Sequence, residues 1–332
     1  MIKKIKKYFK QLKNNIEKNQ INILRTQKLV YKLNSKIDQL DKKYQYLFWA
    51  SQVQDGETVV DTKKRVFLNF PKAYGDCRCI QLGSNYILRK IKKICDEEGI
   101  TFSLYGGTLL GAVRHHGFIP WDDDIDIVLE RKDFNQFKKT IDLDPDLSCE
   151  YYYIPTGEKT IKVKHKESNV FWVDVFIFER INLINDNKKD TVIALEEKYK
   201  ILCTKTKELL VRTDFDMNTK DIAEASIDDG VNQIYCELRK SIPYDDNGEY
   251  CVRGFDMYTT SFELFKYNQL FPIIKNSVIF EDELYGAFNN YWLYFDEFFG
   301  DIYEMPSLFE QHTINLSSLD KEKELLLKYG IQ

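Results

Sequence analysis

The spacing of apolar residues separates the first fifty positions from the rest of the chain. Ile2, Phe9, Ile16, Ile23, Val30, Ile37 and Tyr44 recur at one heptad position. Ile5, Leu12, Asn19, Thr26, Leu33, Leu40 and Leu47 recur at the other, with only Asn19 and Thr26 polar. No Pro or Gly occurs before Gly56. The pattern predicts one helix reaching roughly 70 Å. β-Branched residues at a with Leu at d favour a parallel dimer, and a period nearer 3.5 than 3.6 points to pairing with a second copy. An amphipathic helix folded back on its own domain is the competing reading.

Residues 51–82 read as a connector punctuated by Pro71, Gly75 and Gly83. Ser84 then stands as an N-cap for a helix carrying Tyr86, Ile87, Ile91, Ile94 and Cys95 and ending before Gly99. Phe102–Tyr105 reads as a short strand leading to Gly106-Gly107-Thr108, a tight turn into a helix marked by Leu109, Leu110, Ala112 and Val113. After a turn at Gly117–Pro120 comes an acidic start to an apolar strand, Ile125, Ile127, Val128 and Leu129. Lys132–Thr140 reads as a helix, and Tyr151–Ile154, Lys159–His165 and Asn169–Phe178 as strands. Residues 181–245 are charged and helical in pattern, most clearly over Ile193–Leu210.

Composition narrows the classes. The 332 residues suffice for one large domain or two smaller ones, and 43% hydrophobic content is that of an ordinary globular chain. A net charge of −4 gives no global case for binding nucleic acid. The seven cysteines are irregularly spaced, with Cys77 and Cys79 the one close pair, so reduced thiols in a cytoplasmic protein are expected. No apolar run is long enough to predict a transmembrane helix, and no apolar stretch follows the first lysines as in a signal peptide. Lys3, Lys4, Lys6, Lys7, Lys10 and Lys13 beside Ile2, Ile5, Phe9 and Leu12 suit either an anionic membrane surface or a solvated face.

Candidate chemistry concentrates at Asp122, Asp123, Asp124 and Asp126. Strand alternation would send Asp122, Asp124 and Asp126 to one face. Like charges this close repel unless a cation lies among them, and an oxygen-only set suits Mg²⁺ or Mn²⁺. Helix capping is the alternative use of such a run. The amides of the preceding glycine turn are placed to hold phosphate. Asp174 is the sole charge in the apolar run NVFWVDVFIF, so it is either a third carboxylate of the site or one half of a buried salt bridge. Lys162 and Lys164 share a strand face and would either meet phosphates or guard a sheet edge.

Glycine turn, helix and D-x-D strand form the layout of the nucleotidyltransferase fold. The block GGTLLGAVRHHGFIPWDDDIDI further resembles the signature of the LicD/fukutin family. The resemblance implies an α+β fold, a nucleotidyltransferase-like mixed sheet flanked by helices, here preceded by the long coiled-coil helix. The expected organisation is a coiled coil over 1–50, a connector over 51–82 and a catalytic domain over 83–332, with a helical insertion at about 181–245.

The resemblance also implies a phosphotransferase that moves phosphocholine, or a related phospho-alcohol, from a CDP-linked donor such as CDP-choline to a sugar hydroxyl of a surface glycan. Asp122, Asp124, Asp126 and Asp174 would bind the metal, with Asp174 also placed to take the acceptor proton. Gly106, Gly107, Thr108, Lys162 and Lys164 would meet the donor phosphates. Arg114 would neutralise charge or fix the aspartates. Trp121, Trp172 and Trp292 are candidates for an aromatic cage around a quaternary ammonium, against the commoner use of tryptophan in a core. Phe299-Gly300-Asp301 stands where the family has a YGD-like turn, Gly286–Asn290 replaces its proline-rich segment, and His312 matches a late histidine. Two rival readings stand beside this one: a nucleotidyltransferase moving NMP, and an inactive coiled-coil assembly protein. Either way the expectation is a cytoplasmic chain, with peripheral contact at the cytoplasmic face of the membrane through its basic N-terminus, and a homodimer or higher homo-oligomer.

Overall fold

The computed structural model describes residues 2–154, 156–212, 225–257, 259, 261–306 and 319–331, with side chains described from residue 18 except at 21 and 225–227. His312 and the lysines of the first turns, Lys3 to Lys13, lie outside the described residues and side chains. The chain divides into two compact units, Met1–Val66 with Tyr303–Leu308, and Phe67–Ile302 with Phe309–Gln332.

The long apolar heptad becomes α1 (Ile2–Gln52), followed by α2 (Val59–Leu68). Arg65 ties the turn between them by reaching the Gln52 carbonyl at 2.7 Å and the Glu57 carboxylate at 2.5 Å. Along α1, Ile23, Val30, Leu33, Ile37, Leu40, Tyr44 and Leu47 are 50–67% exposed. These are the predicted seam positions, so the seam faces water along its described length. No helix of the described residues is long and apolar enough to cross a membrane.

The second unit continues with α3 (Gly75–Glu98), β1 (Phe102–Leu104), α4 (Gly106–His115), β2 (Asp126–Glu130), α5 (Arg131–Leu143), β3 (Leu147–Tyr153), β4 (Lys159–His165) and β5 (Trp172–Ile181). Then come α6 (Lys188–Arg212), α7 (Ala225–Arg239), β6 (Tyr250–Arg253), β7 (Phe265–Lys266), α8 (Tyr267–Leu270), β8 (Ile274–Phe280), β9 (Glu283–Ala287), α9 (Tyr291–Phe298) and α10 (Asp320–Lys328). Seven strands form a mixed sheet in the order β1-β2-β5-β4-β3, with β6 and β7 continuing from β5, and β8 and β9 form a separate hairpin. The β2–β5 pair is parallel and the other pairs are antiparallel. The expected mixed sheet flanked by helices is therefore present.

Three local expectations are corrected. Ser84 lies inside α3 and is not its cap, because the helix begins nine residues earlier at Gly75. Gly83 does not break the helix but lets it pass Phe171, whose ring a β-carbon there would overlap. The strand at the acidic segment begins at Asp126, so Asp122, Asp123 and Asp124 precede it and do not follow strand alternation. The cores follow from the apolar stripes. Ile80, Ile87, Leu88, Ile91 and Cys95 bury one face of α3, which packs on β4 and β5, while α5 covers β2, β3 and β5. The insertion helices α6 and α7 close a second cluster with Tyr153, Ile181, Val252, Phe255 and Phe262.

The exposed seam of α1 predicts self-association. Light scattering on the full chain should return the mass of two chains, and Val30→Asp with Ile37→Asp should return the mass of one, since two buried charges per strand outweigh the remaining apolar contacts. An unchanged single-chain mass in both proteins would remove the dimer.

Candidate active site

The glycine turn and the acidic segment meet because α4 leaves β1 and the chain returns directly into β2, beside β1. Gly106 takes φ +52°, a left-handed conformation that favours glycine, and a β-carbon there would overlap the Asp126 carboxylate. A β-carbon on Gly107 would stand 2.8 Å from Asp122 Oδ2. The two glycines are thus the space into which two carboxylates fit. The backbone of Asp126 is held on both sides. The Tyr105 N–H donates to its carbonyl at 3.0 Å, and its own N–H donates to the Thr108 hydroxyl at 2.8 Å.

Register does the rest. Asp126 lies beside Asp174 in the parallel β2–β5 pair, Asp174 beside Lys162 on β4, and Lys162 beside Glu150 on β3. These four side chains form one charged row across four strands, on a single face of the sheet. Lys162 Nζ is 3.4 Å from the Asp174 carboxylate and 4.0 Å from the centre of the Trp172 ring. Trp172 Nε1–H donates to Asp174 Oδ2 at 3.1 Å. Beneath lies an aromatic floor, in which Tyr105 packs 4.7 Å from Phe176 and 5.3 Å from Tyr294.

The electrostatics of the row are out of balance. Burial, then the charge of Asp124 and a hydrogen bond with it, push the Asp122 carboxyl up to about 8. Burial, followed by Asp124, Asp174 and Asp122, drives Asp126 well above the ordinary carboxylate range. Burial also raises Asp174, opposed by Lys162 and reinforced by Asp124. One lysine does not offset this much negative charge. A hard divalent cation fits the same place, because every donor is a carboxylate oxygen. Among the described residues no three acidic, Cys or His side chains already stand as a finished ligand set. The fit is therefore one of donor chemistry and charge.

The structure brings together Asp122, Asp124, Asp126, Asp174, Gly106, Gly107, Thr108 and Lys162. Thr108 is 3% exposed and its oxygen accepts from Asp126, so it positions the carboxylate, where a phosphate contact was expected. Lys164 is engaged with Glu150 at 3.0 Å instead of standing open to phosphate. Arg114 is 7% exposed. Its guanidinium donates to the Ile302 carbonyl at 2.8 Å and to His115 Nε2 at 3.0 Å, and lies 4.5 Å over the Phe67 ring. These contacts build it into the packing behind α4. Of the three candidate tryptophans, Trp172 belongs to the row. Trp121 meets Phe70 and His115 edge-on, and Trp292 is 47% exposed beside Tyr291 and Phe295.

One supporting relay was missed in the sequence. Gln81, 1% exposed, donates to the Asp122 carbonyl at 2.7 Å and accepts from Arg78, which in turn pairs with the buried Glu281 at 2.8 Å. A glutamine interrupting the apolar stripe of α3 was the available signal. A separate open hollow of about 580 Å³ lies between α3 and β9, but its charges pair among themselves, as Arg89–Glu283 and Lys92–Asp96 do, and no site chemistry converges there.

The fold and this carboxylate row define a nucleotidyltransferase-type domain. Residues 99–216 match the family described as LicD/FKTN/FKRP, nucleotidyltransferase domain. Over 72 residues, 22% of the chain, it is 43% identical to the lipopolysaccharide cholinephosphotransferase LicD of Haemophilus influenzae, covering 26% of that protein. Over 91 residues, 26% of the chain, it is 31% identical to an uncharacterized protein of Rickettsia typhi, covering 29% of that protein. The matched stretch thus spans under a third of either relative's length.

Two outcomes are expected. Folding raises Asp122 and Asp126 above their ordinary 3.8, so the folded chain retains protons that the unfolded chain has released. These groups therefore cost stability as pH rises from about 4 to about 8. His115, pushed down to about 3 from 6.5 by burial and Arg114, acts in the opposite sense at lower pH. Melting in chelator should consequently show Asp122→Asn gaining on the wild type as pH rises to 8, and Mg²⁺ or Mn²⁺ should raise the wild-type midpoint there. Parallel pH curves for the two proteins would refute the repulsion. Separately, Gly106→Ala should lose about 1–2 kcal/mol of stability in a denaturant titration from the left-handed backbone alone, and should also weaken divalent-cation binding by displacing Asp126.

Proposed function

We propose that this protein is a metal-dependent phosphotransferase that moves phosphocholine, or a similar phospho-alcohol, from a CDP-linked donor to a sugar hydroxyl of a surface glycan, with release of CMP. The observation that carries the reading is the register of Asp126 against Asp174 on parallel strands, with Asp122 and Asp124 beside them and their carboxyls all in mutual repulsion. The 43% identity over 72 residues to a lipopolysaccharide cholinephosphotransferase supports the choice of group and acceptor.

Asp122, Asp124, Asp126 and Asp174 would hold Mg²⁺ or Mn²⁺. Such an ion, when bound, supplies positive charge to the entering and leaving oxygens of a phosphoryl transfer. The chain's own residues do the remaining work. Gly106 and Gly107 leave room for the carboxylates and, at the N-terminus of α4, present amides to a donor phosphate. Lys162 and the Trp172 N–H fix the orientation of Asp174. A carboxyl raised by burial is a stronger base once ionised, which suits Asp174 to accept the proton of an acceptor hydroxyl. The basic first turns of α1 would bring the enzyme to an anionic membrane carrying a lipid-linked acceptor.

Full-length protein, CDP-choline, Mg²⁺ and lipopolysaccharide lacking phosphocholine should yield CMP and a phosphocholine-bearing glycan by mass spectrometry. Asp126→Asn and Asp174→Asn should each lower the rate by at least about 100-fold. Release of pyrophosphate from a nucleoside triphosphate, without CMP from CDP-choline, would favour nucleotidyl transfer. Wild-type protein that binds neither metal nor nucleotide would favour the inactive assembly role.

A further inference from the structure

The site face of the sheet carries a cation that no expectation had singled out. Arg253, the last residue of β6, is registered with Phe178 of β5. Phe178, Phe176 and Asp174 alternate onto one face of β5, so Arg253 shares the face of the carboxylate row. Its guanidinium lies 5.9 Å from the centre of the Phe176 ring. Phe176 is the next residue after Asp174 on that face, so the side chain reaches back along the strand toward the acidic cluster. Tyr105 and Tyr294, packed on each other beneath the site, both feel the positive charge of Arg253 and the negative charge of Asp126.

The other cations of this face are committed. Lys162 is paired with Asp174, Lys164 with Glu150, and Arg180 donates through two nitrogens to the Gly248 carbonyl while lying 3.8 Å over Tyr267. Arg253 differs. A guanidinium has five N–H donors in a planar fork, and among the described residues Arg253 makes one hydrogen bond, 3.4 Å to the Ser261 carbonyl. Its buried Nε–H faces no acceptor, and no carboxylate of the described residues pairs with it. An under-used guanidinium beside a cluster short of positive charge is suited to a bidentate oxyanion.

We infer that Arg253 binds a phosphate oxygen pair of the nucleotide-linked donor, on the side of the carboxylates opposite the glycine turn. The donor's diphosphate would then lie between two anchors, the amides at the start of α4 and the fork of Arg253, with Phe176 as an apolar base under it. This inference rests on the transferase reading and deepens it by assigning the donor phosphates a second ligand.

Calorimetric titration of the full chain with Mg²⁺ and inorganic pyrophosphate tests it. Arg253→Gln should weaken pyrophosphate binding about 10- to 100-fold, as expected for loss of a charge-assisted bidentate pair, while Mg²⁺ binding without pyrophosphate stays at the wild-type level. Asp126→Asn should lose the Mg²⁺ binding itself. Should Arg253→Gln fail to fold by circular dichroism, Arg253→Lys, which keeps the charge and loses the fork, should still bind pyrophosphate several-fold more weakly than wild type. Equal pyrophosphate affinity in wild type and the folded Arg253 variant overturns this assignment and leaves the transferase reading standing. A wild-type protein that binds no pyrophosphate with Mg²⁺ overturns both.

Discussion

Placing Asp126 and Asp174 side by side on parallel strands is the constraint to which the rest of the site answers. Two carboxylates in that register, with Asp122 and Asp124 close by, repel in a medium that screens poorly. The surrounding residues hold the arrangement in place without cancelling its charge. Gly106 and Gly107 give up side chains where the carboxylates need room, and Gly106 accepts a left-handed backbone to do so. Thr108 and Tyr105 fix the backbone of Asp126. The relay from Glu281 through Arg78 and Gln81 ends on the Asp122 carbonyl, a contact that steadies the acidic loop through its backbone. Lys162 and Trp172 hold the Asp174 carboxylate directly.

Much of this was legible in the sequence because it is local. The seven-residue repeat of α1, the glycine turn into α4, the acidic block and the single charge in the apolar run around Asp174 each lie within a few positions. β4 was read at its observed limits, Lys159–His165. What could not be read depends on contacts between distant segments. Gly83 looked like punctuation because the ring it passes, Phe171, lies 88 positions further on. Arg114 sits close in sequence to the aspartates, yet its guanidinium is engaged by the Ile302 carbonyl, 188 positions away. Arg253 carried no local signal. Its side of the sheet is set by a strand register that becomes visible only when β6 is laid against β5.

The same sheet buries a second set of charges, and comparing the two shows what distinguishes a site from a scaffold. On the face opposite Asp174, Glu179 pairs with Arg131 and Arg239, and Asp256 pairs with Arg131 and with Lys159 at 3.1 Å. Tyr235 donates its hydroxyl to Glu179 at 2.5 Å. Glu179, Asp256 and Lys159 are each under 5% exposed, so this network fastens α5 and α7 to β4, β5 and the loop after β6. Here cations outnumber carboxylates and every carboxylate is met, while burial and the neighbouring Arg131 bring Lys159 down to about 7. Breaking such a network leaves a bare buried charge, which is its contribution to fold specificity.

The carboxylate row inverts that pattern. Its aspartates outnumber the one lysine bonded to them, they are only partly buried apart from Asp174, and burial and mutual repulsion raise the carboxyls of Asp122, Asp126 and Asp174. A scaffold of this kind would be more stable with Asn at Asp122 or Asp126, since the amide removes repulsion at little cost in volume. The chain instead builds glycines, a relay and an aromatic floor around an arrangement that is unfavourable on its own. An excess of fixed negative charge is stable only when something positive completes it. On one face of the sheet the protein supplies that completion from its own arginines and lysine. On the other, Lys162 is the one lysine paired with Asp174, and under the proposed function a divalent cation held by the carboxylates would supply the rest.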